Sequence, residues 1–142
     1  MTINQISIFL ENKYGKLNEL LTLLSKENIR IIAATVADTS EFGILRMIVN
    51  NAQKAHQLLK NNNVNVHLTE VLAIATQSSA GSLADILAHF TKAGLSIEYM
   101  YCFSSKEKSI LILRTNNRDG ALDVIRKQNL DCMTENHLMN LF

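Results

Sequence analysis

Residues 9–17 read FLENKYGKL, and this stretch joins one kind of secondary structure to another. Ahead of it, Ile6, Ile8 and Leu10 occupy every second position, which is the spacing of a half-buried strand. From Leu17 to Leu24 the leucines instead recur at the spacing of one helix face. The stretch therefore predicts a strand, a tight turn and the start of a helix.

The predicted turn has the properties of an anion site. The start of a helix presents backbone N–H groups without intrahelical partners and the positive end of the helix dipole. Gly15 has no Cβ, so a ligand can approach these groups closely. Asn12 and Gly15 also suit an ordinary tight turn, and the stretch alone leaves both interpretations open.

Composition narrows the class of protein. The chain has 142 residues, 47% of them hydrophobic, and a net charge of +1, so it can bury a core as one domain or as two small ones. The near-neutral charge argues against nucleic acid or an anionic membrane surface as the main partner. The amino terminus resembles no leader, and no apolar run reaches the roughly 18 residues that span a bilayer, so we expect a cytoplasmic protein. Cys102 and Cys132 lack metal-ligand spacing, and no cofactor is expected.

The chain is an internal repeat. A shift of 66 residues, the separation of Gly15 and Gly81, aligns the sequence with itself without a gap. The residues that match at this shift include Ile8 and Ile74, Leu17 and Leu83, Leu21 and Leu87, Ile31 and Ile97, Asn50 and Asn116, Asn51 and Asn117, and Ala55 and Ala121. Two copies of one unit are therefore expected, as domains 1–67 and 68–142.

Each copy has the element order βαββαβ. In the first copy we predict a helix over residues 16–27, hairpin strands over 29–37 and 44–49, a helix that opens at Asn50 and Asn51, and a strand from residue 64. Right-handed crossovers then give an α+β, ferredoxin-like unit with an antiparallel sheet in strand order 4-1-3-2 and both helices on one face. The turn over residues 12–15 and the hairpin turn over 38–41 are expected at the same end of this sheet. In the second copy, Ser82 and Asp85 resemble a capping box.

A family resemblance follows from these residues. The pattern Leu10-Glu11-Asn12-x-x-Gly15-x-Leu17, together with residues 37–46 (ADTSEFGILR) and 97–101 (IEYMY), resembles the small stand-alone tandem ACT-domain proteins over essentially the whole chain. The resemblance implies that units pair through their second strands and that a free amino acid binds at the pairing surface, held by the turn after the first strand. The implied turn residues are Asn12, Lys13, Tyr14, Gly15 and Leu17 in the first copy, and Ser78, Ser79, Ala80 and Gly81 in the second.

The two turns depart from the family pattern. Tyr14 and Ala80 stand where the family usually has proline, and Ser78 replaces the usual Asn or Asp. The second turn is therefore expected to bind more weakly than the first, or to form a wall of its site.

A free amino acid suits this chemistry. Its carboxylate needs N–H donors, its ammonium an oxygen acceptor, and its side chain a shaped slot. The Gly15 turn supplies the donors, and the Asn12 side chain supplies the acceptor. The slot is expected from second-strand residues of the two units, namely Ile32, Ala33, Ala34, Glu98, Tyr99 and Met100, although Tyr99 also suits ordinary sheet packing.

The sequence favours a regulatory protein over an enzyme. No Ser-His-Asp, Cys-His or paired-carboxylate pattern can be assembled, so we predict a non-enzyme that senses a free amino acid and controls a metabolic enzyme. Two alternatives stay open, a protein-interaction subunit without a small-molecule ligand and an enzyme on a ferredoxin-like frame. An RNA-recognition motif is disfavoured because residues 44–49 contain no aromatic side chain.

A homodimer is also predicted. Residues 44–49 are apolar on both strand faces, Ile110 and Ile112 repeat this excess, and residues 138–142 form an apolar tail. Exposed apolar surface of this kind usually marks an interface, most often a two-fold one. The alternative is that the two units of one chain cover each other.

Overall fold

A computed structural model describes residues 1–11, 13–38, 41–105 and 108–142. The elements along the chain are β1 (Ile3–Glu11), α1 (Lys16–Lys26), β2 (Ile31–Asp38), β3 (Phe42–Val49), α2 (Ala52–Asn61), β4 (Val66–Gln77), α3 (Ser82–Lys92), β5 (Ile97–Ser105), β6 (Lys108–Thr115), α4 (Arg118–Lys127), β7 (Asp131–Cys132) and α5 (Glu135–Leu141). The βαββαβ order occurs twice, because β4 ends the first series and opens the second. None of the helices in the described ranges is long and apolar enough to cross a membrane.

The chain divides into two compact units. The N-terminal unit is Asn4–Thr69, and the C-terminal unit is Met1–Ile3 together with Glu70–Phe142. Strands lie in the order β4-β1-β3-β2 in the N-terminal unit and β7-β4-β6-β5 in the C-terminal unit, which confirms the predicted 4-1-3-2 order in both. The predicted boundary between residues 67 and 68 falls within β4, and the division into domains at that point stays a prediction.

Each unit buries its own core between the sheet and two helices. In the N-terminal unit, Ile8 of β1 lies opposite Leu45 of β3, and leucines of α1 and α2 pack on the same strand face. In the C-terminal unit, Ile74 lies opposite Leu111, and Phe90 of α3 packs there with residues of α4. The apolar periodicity of strands and helices thus places both helices of a unit on one face, as predicted.

The repeat extends to the ends of the helices. The four helices α1 to α4 are each followed by a residue with positive φ, at Asn28 (57°), Asn63 (60°), Gly94 (73°) and Asn129 (53°). The next residue in each case is apolar, and its N–H donates to a carbonyl five residues earlier at 3.0 Å, from Ile29 to Leu24, Val64 to Leu59, Leu95 to Phe90 and Leu130 to Ile125. This is the Schellman ending, in which Gly and Asn best tolerate the left-handed position.

The helix starts differ by type. Asn51 and Asn117 cap α2 and α4, because their side-chain oxygens accept from the N–H groups of Lys54 at 3.1 Å and Gly120 at 2.9 Å. Helices α1 and α3 instead begin after left-handed glycines with no side-chain cap. The capping box predicted at Ser82 is therefore wrong, since Ser82 is already the first residue of α3 and Gly81 precedes it.

Several residues that suggested a dimer are already buried in the single chain. Ile48, Ile110 and Ile112 are each at most 1% exposed. The residues expected to form an apolar tail belong largely to α5, where Leu138 is fully buried, and the Phe142 ring lies 5.4 Å from that of Phe103. These side chains do not require a second copy to cover them, and the homodimer stays a prediction.

Candidate ligand-binding site

The turn between β1 and α1 is open and built around a left-handed glycine. Gly15 has φ 83° and ψ −9° and directly precedes the first residue of α1. A Cβ placed on Gly15 would meet no atom of the described residues within 4 Å, so these residues leave the space above its backbone open. Lys13 and Tyr14 are exposed, and Asn12, the predicted ammonium acceptor, lies outside the described residues.

The backbone at this helix start can accept an anion. The carbonyl of Gly15 accepts from the N–H of Glu19 at 3.0 Å, and the N–H of Lys16 donates to the Lys13 carbonyl at 3.3 Å. No side chain of the described residues caps the helix. The first-turn N–H groups of an uncapped helix are the donors that a carboxylate needs.

Charged side chains around the turn are paired with each other. Lys13 Nζ lies 2.7 Å from Glu11 Oε2, and Lys16 Nζ lies 3.7 Å from Glu19 Oε2. The hydrogen bond and positive charge of Lys13 lower the pKa of Glu11, and the same contact raises the pKa of Lys13. Both signs of charge are therefore present at the turn at neutral pH, with little net charge.

The second strand of the unit ends at the same end of the sheet as this turn, with β3 between them. Strands β1 and β2 both run antiparallel to β3, so they are parallel to each other. Glu11, at the end of β1, pairs with Phe42, and Asp38, at the end of β2, pairs with Gly43. The turn after β1 and the end of β2 thus lie at the same end of the sheet, as predicted; Thr39 and Ser40 of the hairpin turn lie outside the described residues.

The predicted slot residues of the first copy lie at a bulge in the edge strand. Along β2, Ile31 pairs with Val49 and Ala33 with Ile48, so Ile32 is an extra residue. Bulges of this kind often re-aim a side chain at a sheet edge or near a site. Ala33 and Ala34 pair with successive residues of β3 and so point to opposite faces of the sheet. A slot on one face would take only one of these two alanines.

The second copy repeats this frame with different side chains. Gly81 has φ 88° and open space where a Cβ would lie, but its turn carries Ser79, whose Oγ lies 2.6 Å from Ser82 Oγ, rather than a lysine. Ser78 and Ala80 are exposed.

The bulge is repeated too, at Glu98 between Ile97 and Tyr99. Glu98 accepts from Arg114 Nε at 3.0 Å, Tyr99 lies opposite Arg114, and Met100 packs against the core of its unit. Met100 is therefore engaged in core packing.

One cavity at the turn was not predicted. In the N-terminal unit, a cleft of about 590 Å³ lies between the turn, the first half of α1 and the loop after α2. Lys13 is the predicted site residue that lines it, together with Asn62, Asn63, Val64 and Asn65 of the loop. The run of three asparagines that ends α2 was a signal in the sequence, because the βαββαβ topology brings the end of the second helix to the end of the first strand.

The repeated frame defines the class of protein. Two ferredoxin-like units follow each other, and in each the first strand leads through a left-handed glycine into a helix that no described side chain caps. The chain belongs to the ACT domain pair family, whose model matches residues 1–142. It is thus a pair of regulatory modules of a fold that typically binds amino acids.

Solved structures support the same fold. Protein BT0572 from Bacteroides thetaiotaomicron is 38% identical, with a TM-score of 0.93 over 97% of this chain and 96% of that one. The regulatory subunits of aspartate kinase from Thermus thermophilus, solved ligand-free, and Thermus flavus are 14% and 16% identical, with TM-scores of 0.61 and 0.60. Each match covers 87% of this chain and 90% of the matched chain. At this level of sequence identity the similarity shows the fold alone. A comparison with curated proteins gave no match.

Proposed function

We propose that this ACT domain pair is a sensor that binds a free amino acid at the turn between β1 and α1 and controls a metabolic enzyme in response. The observation that carries the proposal is the Gly15 turn itself. Among the described residues, no atom fills the space over its left-handed backbone and no side chain caps the helix start, where N–H groups can hold a carboxylate. Charged groups of both signs surround it, as a zwitterion requires.

The remaining contacts of the ligand are assigned by the same proposal. Asn12, Lys13 and Tyr14 would contact the backbone end of the amino acid, and Leu17 its apolar part. The family resemblance assigns the ligand's side chain to Ile32, Ala33 or Ala34 of β2. These residues lie near the start of the strand, where Ala34 pairs with Met47, whereas the turn lies at the end of the sheet where Asp38 pairs with Gly43.

The two turns are proposed to differ in affinity. Ser78, Ser79, Ala80 and Gly81 keep the backbone conformation but lack the lysine and the amide of the first turn. A carboxylate would therefore meet backbone donors alone at the second turn. We expect one strong site per chain, with the second turn weaker or serving as a wall.

A homodimer formed through β2 belongs to the proposal. β2 is the outermost strand of the N-terminal unit, and an edge strand offers backbone groups to a further strand. Val36 on β2 and Phe42 on β3 are each 50% exposed, which also favours protein contact at this edge. The same exposure favours the second candidate function, a regulatory subunit that binds another protein without a small-molecule ligand.

A thermal-shift panel of the twenty amino acids tests the proposal. A ligand present at a hundred times its dissociation constant adds about 2.7 kcal/mol of apparent stability, so one amino acid or a related group should raise the melting temperature clearly. A chain that unfolds cooperatively at the same temperature with all twenty would contradict amino-acid sensing and favour the interaction subunit. Turnover of an amino-acid derivative in the same panel would favour an enzyme.

A further inference from the structure

The cleft beside the β1–α1 turn has features that the proposed amino-acid site does not use. Its volume of about 590 Å³ falls within the usual range of small-molecule sites, about 300–1,000 Å³. It is lined by α1 and by the loop after α2, and no residue of β2 contributes to it. It therefore lies apart from the β2 residues assigned to the side chain of the free amino acid, and it shares Lys13 with the turn that binds the backbone end.

The charged side chains along this cleft form two ion pairs. Glu11 is paired with Lys13, and Lys16 with Glu19, and all four side chains are at least half exposed. Exposed ion pairs contribute little stability, so their exchange with ligand charges costs little. A purely anionic or cationic ligand would bring its charge next to two groups of the same sign. A ligand that carries both a carboxylate and an ammonium can satisfy one group of each pair.

Between these charged side chains, the cleft is lined by apolar side chains and by side-chain amides. Leu20 is buried, and Leu23 and Val64 are half-buried along the cleft. Asn62 Nδ2 donates to the Leu58 carbonyl at 2.8 Å, and Asn65 Oδ1 lies 3.0 Å from His67 Nε2. The other polar atom of each amide, Asn62 Oδ1 and Asn65 Nδ2, can hydrogen-bond a peptide group.

The C-terminal unit lacks this charge pattern although it shares the frame. Where the N-terminal unit has Glu11, Lys13, Lys16 and Glu19, the residues at the same repeat positions are Gln77, Ser79, Ser82 and Asp85. The two ion pairs are thus not required by the fold, because the second copy forms the same turn without them. The second copy supplies matched control positions.

We propose that the cleft of the N-terminal unit binds a zwitterionic dipeptide with apolar side chains. Its terminal carboxylate pairs with Lys16 or Lys13, and its ammonium with Glu19 or Glu11. Its peptide group bonds the Asn62 and Asn65 amides, and its side chains pack on Leu20, Leu23 and Val64. The size of the cleft, its two ion pairs and its amides together favour a dipeptide over a single amino acid.

Calorimetry with the dipeptide Leu-Leu tests this proposal. We expect saturable binding of Leu-Leu, and about tenfold weaker binding of N-acetyl-Leu-Leu and of Leu-Leu amide, each of which lacks one charge. Glu19→Gln should weaken the binding of Leu-Leu by a similar factor. Glu19 is exposed, and its backbone N–H keeps its bond to the Gly15 carbonyl, so this variant should fold normally.

A second variant blocks the cleft, with a control in the other unit. Asn65→Trp places a large side chain at the rim while its carbonyl can still accept from the Phe9 N–H, which it does at 3.1 Å in the unmodified chain. It should abolish Leu-Leu binding, and Asp131→Trp at the matching repeat position should not. Absence of Leu-Leu binding up to about 10 mM, or binding that survives both Glu19→Gln and Asn65→Trp, would overturn the proposal.

The same samples separate this proposal from amino-acid sensing. A free amino acid identified by thermal shift should bind the Asn65→Trp variant with unchanged affinity, because Asn65 is not assigned to that site. If the unmodified chain binds a free amino acid but not Leu-Leu, the dipeptide cleft is rejected and the amino-acid site is unaffected. Leu-Leu binding with no response to any free amino acid rejects the amino-acid site alone.

Discussion

Substitution of Gly15 or Gly81 by alanine should cost the same stability at both turns. The two residues have φ 83° and 88°, and a Cβ at either would meet no atom within 4 Å. The cost is therefore backbone strain alone, about 1–2 kcal/mol for a left-handed residue. Alanine also restricts the unfolded chain, which offsets about 0.4–1 kcal/mol of that strain. We expect a net loss of about 1 kcal/mol for each variant.

Urea unfolding measures this loss. Both variants should lower the midpoint without changing the slope of the transition, since neither alters the surface exposed on unfolding. Gly120→Ala provides a contrast, because its Cβ would lie 2.7 Å from Nδ2 of the capping residue Asn117, and a larger loss is expected. A loss above about 3 kcal/mol at one turn with none at the other would refute the equivalence of the two turns.

Three further predictions concern stability, pH and assembly. Asn51→Ala and Asn117→Ala should each lower the free energy of unfolding by about 1 kcal/mol through loss of a helix cap, as measured in urea; a neutral result would contradict the assigned caps. The hydrogen bond from Arg118 keeps the pKa of Glu70 below its ordinary value of 4.5, with help from Thr2. The stabilisation from this contact is present above pH 4.5 and fades as the pH falls through the lowered pKa of Glu70. Arg118→Met should therefore raise the pKa of Glu70 in an NMR titration. The same substitution should destabilise the fold less in acid than at neutral pH. Sedimentation equilibrium should give twice the mass of one chain; a monomer mass at high protein concentration would eliminate the homodimer.

Much of the fold was predicted from the spacing of residues along the sequence. The 66-residue shift between Gly15 and Gly81 predicted two units, and the structure forms the same left-handed turn at both. Asn51 and Asn117 opened the predicted helices and are their caps. These features are local, because a left-handed φ or a cap depends on a residue and its near neighbours.

Other features depend on packing between residues that are distant in the sequence, and the sequence did not predict them. Ile48 and Ile110 lie on the sheet face that does not carry the repeat's helices. Their burial depends on which other residues pack on that face, and the periodicity of the sequence does not specify those residues. The short helix α5 has no counterpart in the repeat, so the residues around Leu138 were interpreted as a tail. Bulges at Ile32 and Glu98 arise from strand register, to which side-chain patterns alone are insensitive.

The candidate site was predicted only in part. The glycine turn and its charged residues were expected, and the topology correctly brought the end of β2 beside them. The cleft formed with Asn62 and Asn65 was missed, because those residues are 50 positions from Asn12 or more and were interpreted only as a helix end.

The proposed function requires that a free amino acid binds at the Gly15 turn. Isothermal titration calorimetry of the amino acid selected by thermal shift, against the unmodified chain, Gly15→Leu and Gly81→Leu, tests it most directly. Both variants carry the same backbone strain in open space, so they should be equally destabilised. Micromolar to millimolar binding, about −8 to −4 kcal/mol, should be lost in Gly15→Leu and retained in Gly81→Leu. Unchanged affinity of Gly15→Leu for the amino acid would contradict binding at the Gly15 turn.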